Sequence, residues 1–140
     1  MDAADNKALM SAIYDELEKG NGQPFVEALA DDVQWTIIGT TEWSGRWEGK
    51  AAVRTRLLDP LFAQFETRYT NRAIRLIAEG DWVVIECRGD VITKSGHPYR
   101  NTYCNVFRLE DGKVKEITEY CDTDLLGKAL EPPWVVEATA

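Results

Sequence analysis

Histidine, cysteine and positive charge are scarce in this sequence, and each scarcity excludes a class of chemistry. One histidine and three cysteines occur in 140 residues. Cys87, Cys104 and Cys121 form an odd set with no C-x-x-C pair, which indicates neither a closed disulfide framework nor a zinc site and leaves free buried thiols as the reading. His97 sits in the turn Ser95-Gly96-His97-Pro98, where a lone histidine is usually solvated. No phosphate-binding glycine loop or dinucleotide fingerprint is present, and no serine or cysteine has a plausible base beside it. No metal and no organic cofactor is expected. The 16 Lys and Arg are outnumbered by 24 Asp and Glu, giving a net charge of −8 and a pI near 4.7, the wrong sign for gripping a phosphate backbone. Nucleic acid is not an expected partner. Long apolar runs are missing too: stretches such as 82–85 are strand-length, far short of the roughly 20 residues that cross a bilayer, so no membrane association is expected. The start, residues 1–6, is acidic and polar where a secretory signal is basic and then apolar, which makes a cytoplasmic protein the expectation.

What is present is an ordinary globular composition, 44% hydrophobic and 10% aromatic, in a length that suits a single domain spanning 1–140. Leu9, Met10, Ile13, Tyr14 and Leu17 recur at helical spacing before the stop signal Gly20-Asn21-Gly22. Pro24 opens a short second helix through Phe25, Val26 and Leu29, and a β-branched and aromatic strand follows over 33–38. Residues 40–49 place Trp43 and Trp47 among Gly and Ser and read as an irregular loop that covers something. The apolar set from Ala52 to Phe65 predicts a third helix, bent or interrupted where Pro60 removes a backbone donor. Strands are predicted over 67–78, 82–93, 98–109 and 114–122, joined by short Gly-containing turns. Helices followed by an antiparallel meander is α+β order. The tail, 123–140, carries a helical turn near 124–130 and is expected to lie across the core or a partner subunit.

Side chains alternate faces along a strand, so Glu86, Arg88 and Asp90 share one face and Val83, Ile85, Cys87 and Val91 the other. On composition alone the polar face reads as solvent-exposed. Thr118, Tyr120 and Asp122 share a face of the last strand. Asp122, at the strand end, has two readings: a carboxyl desolvated in a cavity mouth and usable as a proton donor, or the cap of the following helical turn. Tyr99, Asn101, Tyr103 and Asn105, with His97, form a same-face row that would orient a ligand.

The order of elements, with Ala30-Asp31-Asp32-Val33-Gln34-Trp35, Trp47-Glu48-Gly49-Lys50-Ala51-Ala52-Val53-Arg54 and the run from Val106 to Thr123, resembles the SnoaL-like proteins over about residues 6–128. These belong to the superfamily of nuclear-transport-factor-two-like folds, with ketosteroid isomerases, limonene epoxide hydrolases and scytalone dehydratase. The resemblance implies an α+β fold: a cone-shaped, strongly curved, mostly antiparallel sheet wrapped around three N-terminal helices, an interior pocket, and a homodimer. It says more about fold than about reaction, because many activities are grafted onto this one pocket.

By the same resemblance, Asp122 matches the strand-end acid/base of SnoaL-type polyketide cyclases. Arg88-Gly89-Asp90 with Asp122 matches the Arg-x-Asp and strand-end Asp of limonene epoxide hydrolases, which turns these three from solvent toward the cavity as catalytic residues. Trp35, Ile37, Tyr14, Trp43, Trp47, Tyr99, Asn101, Tyr103 and Tyr120 are expected to line the pocket. The chain also departs from these relatives. The Tyr and Asn that hold water in the epoxide hydrolases are replaced by Trp35 and Ile37. The ketosteroid isomerase base falls near Ile37, its oxyanion Tyr registers with Ile13, one step from Tyr14, and its second Asp falls near Cys104 or Asn105. The expectation is an acid/base enzyme, of cyclase, isomerase or epoxide-hydrolase type, acting on a modest-sized, apolar, oxygenated small molecule. The alternatives are a ligand-binding module of the same shape, or a dimerisation scaffold pairing through Arg100, Arg108 and Lys115.

Overall fold

The computed structural model describes residues 1–134, and the Val135-Val136 end of the predicted tail lies outside them. Helix α1 (Ala3–Glu18) starts at a reciprocal cap: Asp2 accepts from the Asp5 backbone N–H at 2.8 Å and Asp5 accepts from that of Asp2 at 3.2 Å. Its buried stripe, Met10, Ile13 and Tyr14, recurs at the helical period. Gly20, at φ 85°, ends it with a left-handed residue. Helix α2 (Gln23–Ala28) carries Pro24 in its first turn.

The chain then enters β1 (Leu29–Ile37), which starts four residues earlier than predicted. The loop expected over 40–49 contains a strand, β2 (Gly45–Glu48), paired antiparallel to β1 with Trp47 opposite Trp35. The predicted third helix forms as α3 (Lys50–Ala52), a π-helical stretch (Val53–Leu58) and α4 (Asp59–Phe62), with Pro60 in the first turn of α4. Pro60 lacks the N–H that would continue the ladder of the preceding π-helical turn, and the helix changes its hydrogen bonding there, as expected of a proline that interrupts the rod.

The meander follows as β3 (Thr70–Glu79), β4 (Trp82–Ile92), the short β5 (Pro98–Tyr99), β6 (Thr102–Glu110) and β7 (Lys113–Cys121). The strand predicted over 98–109 is thus split at Arg100 and Asn101. Sheet order is β2-β1-β7-β6-β4-β3, antiparallel except for the parallel β1–β7 pair. This curled half-barrel closes around α1, α2 and the 50–62 helices. The core is a continuous apolar cluster running from Met10 and Tyr14 through Val83, Ile85 and Phe107 to Leu126. Helix α5 (Thr123–Ala129) lies back across it, burying Leu126, Ala129 and Leu130. The chain is then pinned at Glu131, whose carbonyl accepts from the Trp43 indole at 2.9 Å and the Gln64 amide at 3.0 Å. No described helix is long and apolar enough to cross a membrane.

Candidate functional site

The inner face of the sheet and the helices enclose a cavity of about 950 Å³. Its walls are largely apolar, with Leu17, Phe25, Leu57, Phe65 and Leu126 opposite the sheet. Charged side chains gather at the exposed rim, where Arg54, Asp59, Glu66 and Arg68 lie. In the depth, one ionisable carboxyl is found among the described residues, that of Glu119.

Glu119 faces inward because of a β-bulge. The β6–β7 register pairs Leu109 with Val114 but Arg108 with Glu116, so β7 carries one extra residue at that point. The buried positions of β7 therefore run Val114, Ile117 and Glu119, switching from even to odd. Glu119 stands directly opposite Asn105 of β6 and beside Ile37 of β1. Directly opposed residues bring their Cβ atoms to about 4.5–5.5 Å, so the carboxyl and the Asn105 amide share one patch of wall. Burial pushes the Glu119 carboxyl up from 4.5 to about 7, opposed by the Trp35 indole N–H, which favours the charged form. A carboxyl at that value is present in both protonation states at neutral pH, the condition for efficient proton transfer in either direction.

Around it lies a wall of hydroxyls and amides. Asn71 donates to the Tyr69 hydroxyl at 3.1 Å, the Tyr103 hydroxyl to that of Tyr99 at 3.4 Å, and Asn101 to Tyr99 at 3.0 Å. Gly89 makes room for this chain: a Cβ there would lie 2.6 Å from the Tyr69 hydroxyl. Burial drives all four cavity tyrosines, Tyr14, Tyr69, Tyr99 and Tyr103, far above their ordinary value, so they are neutral donors. For Tyr14 the neighbouring Asn105 amide offsets a part of that rise. The thiols of Cys87 and Cys121 are pushed up to about 12 by burial, which keeps them protonated and poor nucleophiles.

The three residues expected to be catalytic are not in this cavity. Arg88 and Asp90 stand on the outer, exposed face of β4, where Asp90 accepts from Arg100 at 3.0 Å in open solvent. The simpler reading of that alternating polar face was the right one, and the Arg-x-Asp spacing is not assembled with Asp122. Asp122 is exposed and caps α5, its carboxyl accepting from the Leu125 N–H at 3.1 Å. Removing that cap by Asp122→Ala is expected to cost about 1 kcal/mol in urea denaturation; no change in stability would contradict the capping role.

Of the expected lining residues, Trp35, Ile37, Tyr14, Trp43, Tyr99 and Tyr103 do border the cavity. Tyr120, 45% exposed, faces outward for the same bulge that turns Glu119 in. Trp47 packs against the core without reaching the cavity. Asn101 is fully buried behind the wall, where its side chain donates to the Asp122 carbonyl at 3.1 Å and accepts from the Asp122 N–H at 3.0 Å. It thereby replaces the backbone ladder where the strand breaks. His97 is exposed in its turn. Arg100, Arg108 and Lys115 are engaged within the chain, with Asp90, Glu116 and Asp32 respectively. Sequence reading missed Glu119 and Asn71; a bulge in β7, the signal for the first, has no mark in the alternation of residues there.

Comparison with known proteins matches this architecture. The model of the SnoaL-like domain family matches residues 10–117. A solved NTF2-like protein from Burkholderia thailandensis superposes with a TM-score of 0.76 at 18% identity, covering 94% of this chain and 100% of its own. A chain assigned as a SnoaL-like polyketide cyclase from Jannaschia sp. CCS1 gives 0.73 at 19%, covering 91% and 92%. A Mycobacterium tuberculosis LEH-like epoxide hydrolase gives 0.70 at 20%, covering 98% and 97%. Comparison with curated protein sequences finds no match. With its family match over most of the chain and this curled sheet, the chain belongs to the SnoaL-like domain family.

Proposed function

We propose that this protein is a proton-transfer enzyme of the cyclase or isomerase type, acting on a modest-sized, largely apolar carbonyl compound with Glu119 as acid and base. The observation that carries this reading is a lone carboxyl, raised to about 7 by burial, in the depth of an apolar cavity of about 950 Å³. The Glu119 carboxylate takes the proton from the carbon next to the carbonyl. The C–H electron pair becomes the enolate double bond, and negative charge collects on the carbonyl oxygen. The neutral Tyr14 hydroxyl at the cavity wall, a neighbour of the Asn105 amide that stands opposite Glu119, is the donor for that oxygen. Return of the proton from Glu119 to a different carbon isomerises the compound. Attack of the enolate carbon on a second carbonyl of the same molecule forms a C–C bond, and the resulting alkoxide takes the proton from Glu119. The epoxide-hydrolase alternative has less support, since Arg88 and Asp90 lie outside and Trp35 and Ile37 stand where that chemistry holds its water.

Deuterium exchange into apolar cyclic ketones in D₂O, followed by proton NMR, tests the reading without a known substrate. Catalysed exchange is expected, and Tyr14→Phe is expected to lower it by about 10²–10³-fold. Ketones that bind without exchanging their α-protons would replace it with the binding-module alternative.

We further propose that two copies associate through the outer face of the sheet. Ile77, Val84, Val106 and Thr118 are cross-strand neighbours in one row there, and Ile77 and Trp82 are 56% and 44% exposed. Trp82→Glu is expected to turn a dimer into a monomer in sedimentation equilibrium; a wild-type protein that sediments as a monomer would end this proposal.

A further inference from the structure

Among the described residues, two buried side-chain oxygens at the cavity lack a hydrogen-bond partner, Asn71 Oδ1 and Asn105 Oδ1. Both residues border the cavity. Asn71 and Asn105 are each 6% exposed, and each is held at one end only. The Asn71 amide donates to the Tyr69 hydroxyl at 3.1 Å and the Asn105 amide to the Cys87 sulfur at 3.8 Å. Their strand positions flank Cys87 from opposite sides: Asn71 pairs with Gly89, two residues after it, and Asn105 with Ile85, two residues before it. Two fixed amides thus border one cavity, each with an unused end. Buried polar groups in folded proteins are almost always satisfied, and an exception at a cavity wall marks where a bound group belongs.

The type of the missing partner follows from the donor and acceptor inventory. A free Oδ1 needs a donor, which excludes ethers, esters and ketones at those two points. A hydroxyl donates to an amide oxygen and accepts from an amide N–H, so it completes an Asn in either orientation of the amide. We propose that the cavity is built for a ring compound with two hydroxyl groups, one on Asn71 and one on Asn105. This deepens the proton-transfer reading and rests on it only in placing the ligand at the same wall. The apolar residues opposite would take the ring's hydrocarbon edge.

Calorimetric titration with ethylbenzene, 4-ethylphenol, 4-ethylcatechol and 4-ethylresorcinol tests the idea. In the wild-type protein, affinity is expected to rise about tenfold for each hydroxyl, for the better of the two diols. Asn71→Leu and Asn105→Leu are each expected to remove one of the two steps and leave the other. Ethylbenzene binding as tightly as either diol would overturn the proposal, because the amides would then be satisfied by water. So would steps that persist in both Leu variants. The wild-type series stands by itself if a variant fails to fold. Glu119→Gln separates the two claims: the hydroxyl steps are expected to survive it. A protein that shows the steps but exchanges no α-protons keeps this inference and loses the proton-transfer reading; exchange without the steps does the reverse.

Discussion

Glu119→Gln is expected to lower catalysed α-proton exchange by about 10²–10⁴-fold while ketone binding stays within a few-fold of wild type. The amide matches the carboxyl in shape and keeps a group that accepts from the Trp35 indole, but it neither takes nor returns a proton. The remaining donor, Tyr14, would still stabilise an enolate, so the loss should stop short of the uncatalysed rate. In the wild-type protein, exchange should rise with pH through a midpoint near the value of about 7 that burial gives Glu119, because the carboxylate is the form that takes the proton. Tyr14→Phe should lower the plateau and leave that midpoint in place. Exchange that is unchanged in Glu119→Gln, or that has no inflection between pH 6 and 8, would show the proton going elsewhere.

The same buried carboxyl should make the fold weaker in base than in acid. Its value is raised on folding from 4.5 to about 7, so the folded state holds a proton that the unfolded chain has released over that range. Its contribution to stability is fully present below 4.5 and is lost as pH rises through 7. By pH 8 the loss amounts to about 3 kcal/mol, from 1.36 kcal/mol for each pH unit separating the two values. Glu119→Gln carries no such proton. The stability of wild type minus that of the variant, from urea denaturation, is therefore expected to fall by about 2–3 kcal/mol between pH 5 and pH 8. A difference that is flat over this range would mean that the carboxyl is solvated. One that rises with pH would mean that it is paired with a cation.

Most of the fold was legible because its signals are local. The apolar spacing of Met10, Ile13 and Tyr14 defined α1, and Gly-containing turns marked the meander. The faces of β4 and β6 followed from strict alternation, so Tyr103 and Asn105 were placed correctly, and so was the exposed face bearing Arg88 and Asp90 when composition alone was weighed. The resemblance to epoxide hydrolases then drew Arg88 and Asp90 inward, although their alternation with buried Val83, Ile85 and Cys87 forbids it. In β7 the resemblance turned Asp122 inward, and Tyr120 of the same face with it. One inserted residue reverses inside and outside along this strand, so that face looks out and Glu119 looks in. The bulge is set by pairing with β6 across the turn at Asp111 and Gly112, a non-local fact with no residue to announce it. Asn71 was missed because β3 has its own register shift, between Ala73 and Arg75, and because a lone asparagine in a strand carries no pattern.

Acid and base chemistry in this cavity turns on the protonation state of one side chain, Glu119. A carbon-detected NMR titration of the carboxyl groups, with Glu119→Gln to assign the signal, measures it directly and needs no substrate. The Glu119 carboxyl is expected to titrate near 7, well above the 4.5 of an ordinary glutamate. A midpoint at or below 4.5 would place the group in water or against a cation, and the cavity would then have no acid or base with which to work.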